Sequence, residues 1–81
     1  MLDNFEEILS SPILKRSIRI AGHNTSISLE KVFLDELMSI ANKEGRSFND
    51  LVLKIDEIRS VSLSSACRLY VLANLLDHNS N

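Results

Sequence analysis

The sequence predicts a small, mostly α-helical domain opened by a short β-ribbon, which associates with a second copy of itself. Three observations carry this expectation. Apolar residues alternate with polar ones through residues 16–29, the two-residue period of a half-buried strand, and from Glu30 onward the period becomes helical. Gly45 and Ser47 then punctuate the helical part where one helix should stop and the next begin. Finally, the chain has 81 residues and a single cysteine. A chain of that size buries a modest core and has no disulfide to support it, so oligomerisation is the expected remedy.

Taken in order, Leu2, Phe5, Ile8 and Leu9 recur at helical spacing until Ser10-Ser11-Pro12 stops them, which marks residues 1–14 as an arm or short helix. Ile18 and Ile20 alternate with Ser17 and Arg19, giving a first strand. Thr25, Ile27 and Leu29 alternate with Asn24, Ser26 and Ser28, giving a second. Between them Ala21-Gly22-His23-Asn24 reads as a turn. The sequence leaves open whether the strands fold back as a hairpin, with Gly22-His23 as its two-residue turn, or run on as one bent ribbon.

From Glu30, Phe33, Leu37, Ile40 and Ala41 line one helix face, and Gly45 ends that helix. Ser47 is placed as the N-cap of the next, with Asp50 three residues on and an apolar stripe of Phe48, Leu51, Val52, Ile55 and Ile58. Ser60-Val61-Ser62 interrupts before a last helix over about Leu63–Leu76. Ala66, Leu69, Tyr70, Ala73 and Leu76 are its expected packing face, and Val71, Leu72 and Leu75 widen its apolar surface beyond what one side requires, so it is expected to meet a second chain. Residues 15–76 therefore form the domain and residues 77–81 a polar tail.

Apolar residues make up 44% and charged residues 25%, a mixture that folds rather than one that stays disordered. No apolar run approaches the roughly 20 residues that span a bilayer, so no membrane association is expected. The start of the chain is acidic, with Asp3, Glu6 and Glu7, and lacks the pattern of a secretory signal. With the lone cysteine, this points to the cytoplasm. Cys67 lies among apolar neighbours and is read as a buried small hydrophobe rather than a nucleophile.

Catalytic chemistry is hard to assemble from this inventory, and no enzyme is expected. His23 and His78 are far apart, no cysteine and histidine have zinc-ligand spacing, and Gly22 and Gly45 cannot make a phosphate loop, so neither metal nor cofactor is expected. Asp56-Glu57 and Glu6-Glu7 are adjacent pairs that point to different helix sides. The net charge is −2, yet residues 13–31 hold Lys15, Arg16, Arg19 and Lys31 against Glu30 alone. A two-fold dimer doubles that local field wherever the two copies lie side by side.

The second strand is too short to form a sheet alone. Two copies related by a two-fold axis can pair it antiparallel, bury the Thr25, Ile27 and Leu29 side against the helices, and turn Asn24, Ser26 and Ser28 outward. A two-stranded ribbon fits the DNA major groove, and short polar side chains donate to and accept from base edges.

The run Thr25-Ser26-Ile27-Ser28-Leu29-Glu30, an amphipathic helix, and then Glu44-Gly45-Arg46-Ser47-Phe48-Asn49 resembles the ribbon-helix-helix DNA-binding proteins. Lys15-Arg16-Ser17-Ile18-Arg19-Ile20-Ala21-Gly22-His23 before it, and Leu63-Ser64-Ser65-Ala66 after it, are similar to a bacterial subgroup with an added basic strand and a third helix. The resemblance covers about residues 15–76. It implies an intertwined homodimer, a transcriptional regulator with its ribbon in the major groove, and phosphate anchoring at the start of the second helix.

On that pattern Asn24, Ser26 and Ser28 match the base-reading positions, and Ser47 and Phe48 fall where backbone N–H groups meet phosphate. A capped helix start with Arg46 beside it suits an anion on electrostatic grounds as well. Arg16 and Arg19, ahead of the ribbon, are further expected phosphate contacts. The two serines depart from the longer or charged ribbon residues common in the family, which weakens the expected base discrimination. A competing reading makes the chain an antitoxin-like or scaffold dimer whose apolar last helix docks a second protein.

Overall fold

The structure, a computed structural model, describes residues 5–79. Leu2 and Asp3 of the expected arm and Ser80 and Asn81 of the expected tail lie outside the described residues. The order is α1 (Phe5–Leu9), β1 (Ile13–Ile20), β2 (His23–Glu30), α2 (Lys31–Glu44), α3 (Phe48–Ile58) and α4 (Leu63–Asn79). This is the expected mostly α fold: a short ribbon, two core helices and an added C-terminal helix.

The two strands form an antiparallel hairpin, which resolves the alternatives the sequence left open. Its turn is Ala21-Gly22 rather than Gly22-His23. Both central residues have positive φ, 51° and 80°, as a type I′ turn requires. The register pairs Ile20 with His23 and Ile13 with Glu30, and the Lys31 N–H continues the same ladder to the Pro12 carbonyl at 2.8 Å. Moving the turn by one residue shifts each cross-strand partner by two, so each side chain keeps its face. β1 also extends back to Ile13, so the basic segment is a strand in its own right.

One face of the hairpin, with Leu14, Arg16, Ile18 and Ile20 opposite Leu29, Ile27, Thr25 and His23, turns toward the helices. Ile18, Ile27 and Leu29 are buried there. Leu34, Leu37, Ile40 and Ala41 of α2, Leu51, Val52 and Ile55 of α3, and Ala66, Cys67 and Val71 of α4 complete the core. No polar or charged side chain is buried among the described residues, so the core is held by apolar contact alone. Desolvation pushes the Cys67 thiol up to about 11, which keeps it protonated and fits the reading of a small hydrophobe.

The helix ends are served locally. Ser11 Oγ accepts from the Val32 N–H at 3.1 Å, which with Pro12 satisfies the start of α2, where Glu30 makes no side-chain cap. Gly45, with φ 71°, closes α2. Its N–H donates to the Asn42 carbonyl and the Arg46 N–H to the Ala41 carbonyl, the paired bonds of a Schellman motif. Ser47 Oγ accepts from the Asp50 N–H at 3.0 Å, the cap the sequence predicts for α3. Arg59 fastens the α3–α4 corner, donating to Asp56 Oδ1 and the Val61 carbonyl at 2.7 Å each.

Two packing expectations change. In α2, Leu34 is buried while Phe33 is only half-buried. In α4 the inward stripe is Ala66, Cys67 and Val71 with Tyr70 beside them, whereas Leu69, Leu72 and Leu76 are 51%, 48% and 58% exposed. The helix is apolar on both sides, so its periodicity did not say which side faces in. It also runs on through Asp77 to Asn79, since no residue there breaks a helix.

Candidate nucleic-acid interface

The hairpin's other face carries Ile13, Lys15, Ser17 and Arg19 on β1 opposite Glu30, Ser28, Ser26 and Asn24 on β2. Apart from Ile13 at one end, its side chains are short and polar or charged. Asn24, Ser26 and Ser28 thus stand together, exposed and on the face away from the helices. Arg19 joins them: its Nη1 donates across the ladder to Asn24 Oδ1 at 3.3 Å. That contact occupies one lone pair of the amide oxygen and leaves the Asn24 NH₂ free to donate.

Glu30 is the single acidic residue of this face. Arg68 Nε donates to its Oε1 at 3.0 Å. Hydrogen bonding to its own backbone, then to Arg68, holds the Glu30 carboxyl below its usual value. Its negative charge is therefore matched locally, and Lys15 and Arg19 set the sign of the remaining surface.

Two side chains cover the hairpin's edges. Asn49, in the first turn of α3, accepts from the Arg19 N–H through Oδ1 and donates to the Arg19 carbonyl through Nδ2, both at 2.9 Å. One amide thereby takes the place of a third strand and fixes the tip of β1 to α3. On the opposite edge, the Ser28 N–H donates to Ser64 Oγ in α4 at 3.2 Å. Beyond that bond, the outer-edge backbone groups of Asn24 and Ser26 take no partner among the described residues.

The other expected phosphate residues gather elsewhere. Arg16 shares the helix-facing side with Ile18; its guanidinium lies 5.3 Å from the centre of the Phe48 ring, and its Nη1 reaches Met38 Sδ at 3.9 Å. It belongs with the start of α3, beside Phe48 and the Ser47 cap. Arg46 precedes that cap but pairs with Glu44 at 3.1 Å. Glu44 also accepts from Tyr70 Oη at 3.0 Å and lies 3.8 Å from Lys54, so Arg46's charge is partly spent inside the protein. The expected set therefore divides into an outer-face group and an α3-start group, with Asn49 bonded between them.

A model of the ribbon-helix-helix domain matches residues 13–75, which covers the hairpin, both core helices and most of α4. The chain belongs to the ribbon-helix-helix family. No curated protein and no solved structure gives a significant match. Ribbon-helix-helix domains are a non-enzymatic, DNA-binding fold family, typically transcription regulators or antitoxins.

Within this ribbon-helix-helix domain, Lys15, Ser17 and Asn49 adjoin the expected site residues without having been singled out among them. Lys15 and Ser17 share the parity of Arg19, so the alternation that identified the strand already placed them outward. Arg16 has the opposite parity, and grouping it with Arg19 by charge obscured its inward position. Asn49 carried no comparable signal, because its contact is tertiary. Among the described residues, no cluster of side chains suits a metal ion and no helix is long and apolar enough to cross a membrane.

Proposed function

We propose that the protein is a cytoplasmic, homodimeric DNA-binding regulator that presents the outer face of its hairpin to the major groove. The observation that carries this reading is that face: Asn24, Ser26 and Ser28 side by side, flanked by Lys15 and Arg19, with the one carboxylate held by Arg68. Asn24, Ser26 and Ser28 would contact base edges. Arg19 would contact phosphate from the outer face, while Arg16, Arg46 and the free N–H groups of Ser47 and Phe48 would do so from the start of α3.

The second copy is supported by the side of the molecule next to β2. There the backbone groups of Asn24 and Ser26, without a partner among the described residues, can pair with another strand. Arg59 lines both a cleft at the hairpin tip, with Thr25, Ser26 and Leu63, and the apolar groove of Ile58, Val61 and Leu69, so the groove adjoins the end of β2 that carries these groups. An antiparallel pairing of β2 with β2 of another copy would cover both and produce a two-fold sheet.

A titration of duplex DNA at several salt concentrations tests the proposal. Wild-type affinity should fall steeply with salt, and Arg19→Ala should bind about 2 kcal/mol more weakly per dimer with a shallower salt slope. Absent or salt-insensitive binding contradicts the proposal. The second reading, an antitoxin-like or scaffold dimer, is favoured by the exposed Leu72 and Leu76 of α4, which lie outside that groove. It predicts a stable complex with another protein through α4 whether or not DNA is bound.

A further inference from the structure

We infer that β1 forms a pair of phosphate-gripping rails beside the reading strands, with Lys15 as a DNA contact alongside Arg19. The inference rests on the DNA-binding dimer proposed above. In that dimer β2 pairs with its copy at the centre, so the sheet reads β1-β2-β2-β1 across the two-fold axis, and all four outer faces point the same way.

Its width decides what each strand does. Four strands at about 4.8 Å spacing put the outer strand axes roughly 14 Å apart, whereas the major groove is about 12 Å wide. The central pair fits between the groove walls and the outer pair does not. Each β1 therefore runs along a wall, where the sugar-phosphate backbone lies.

The side chains follow the same division. β2 offers Asn24, Ser26 and Ser28, short groups suited to base edges at close range. β1 offers Lys15 and Arg19, long cations on the same face. They are four residues apart, about 14 Å along an extended strand, so each reaches a different phosphate. Arg19 also holds Asn24 Oδ1 and so links the rail to the reading strand. Lys15 is exposed, opposite Ser28, and has no such partner on the hairpin, which makes it the cleaner probe.

The experiment measures binding to two duplexes of about two helical turns, one preferred by the protein and one with its sequence scrambled, across a salt series. Lys15→Gln should lower the slope of log affinity against log salt by about two, one contact per copy at roughly 0.9 each. It should do so equally on both duplexes and leave their affinity ratio unchanged. Lys15→Arg should retain the wild-type slope, and Ser26→Ala should change the ratio but hardly the slope. An unchanged slope for Lys15→Gln, in a wild type that binds DNA with normal salt dependence, overturns the rail assignment and leaves the DNA-binding reading standing. A changed ratio with Lys15→Gln also overturns it, because β1 would then be reading bases from within the groove. Failure of the wild type to bind either duplex overturns the DNA-binding reading and this inference together.

Discussion

Two surfaces of this domain are left uncovered by its core, and they differ in kind. The outer face of the hairpin is polar and cationic, with Lys15, Ser17 and Arg19 against Ser28, Ser26 and Asn24. The exposed side of α4 is almost wholly aliphatic, with Leu69, Leu72 and Leu76 continued by Ile58 and Val61 at the corner. A sheet face needs polar residues wherever it meets water, so the first surface is soluble as it stands. The second exposes leucines that one chain cannot cover, and its cost falls only on association. The comparison separates a surface suited to a hydrated, charged ligand from one suited to another protein surface, and a net charge of −2 conceals both.

Attacking the aliphatic surface should have the largest effect. Replacing Ile58 and Leu69 together by aspartate removes four exposed aliphatic side chains from the groove that the proposed dimer covers, each contributing about 1 kcal/mol on burial, or roughly 4 kcal/mol in total. Sedimentation should show a monomer, while circular dichroism should keep its helical signal, because neither side chain is in the core. A dimer of unchanged affinity would place the interface elsewhere.

The junction between sheet and helices comes next. Asn49→Ala deletes both hydrogen bonds to the Arg19 backbone and exposes the edge of β1. The expected loss is about 1–2 kcal/mol, seen as a Tm lower by roughly 5–10 °C. An unchanged Tm would mean that water replaces the amide without penalty.

The smallest effect belongs to the hairpin turn. Ala21 has φ 51°, where a non-glycine residue is strained, and type I′ turns favour Asn before Gly. Ala21→Asn should therefore stabilise the domain by about 0.5 kcal/mol, measurable by denaturant unfolding. A loss of stability would show that Ala21 is held in place by something other than its backbone.

These positions also show how much was legible in the sequence. The alternation of Ile18, Ile27 and Leu29 with polar neighbours separated the two faces before any pairing was known, because side-chain direction in a strand depends on parity. Gly45 and Ser47 marked a helix end and a helix start because each meets a local backbone need. What stayed hidden was tertiary. The partner of β2 within the chain is β1, folded back as a hairpin, and strand alternation alone does not separate that arrangement from one continuous bent ribbon. Nothing local distinguishes the inward stripe of α4 from the outward one when both are apolar. Asn49 looked like an ordinary early-helix residue, and only the folded chain brings it to the edge of β1.

On the proposed function, DNA meets the outer face of the hairpin. Amide chemical shifts of the isotopically labelled protein, followed as duplex DNA is added, test it most directly. Lys15, Ser17, Arg19, Asn24, Ser26 and Ser28 should move together with the Ser47–Phe48 start of α3, while Leu69, Leu72 and Leu76 stay in place. Shifts gathered on α4 with the hairpin unmoved would contradict it.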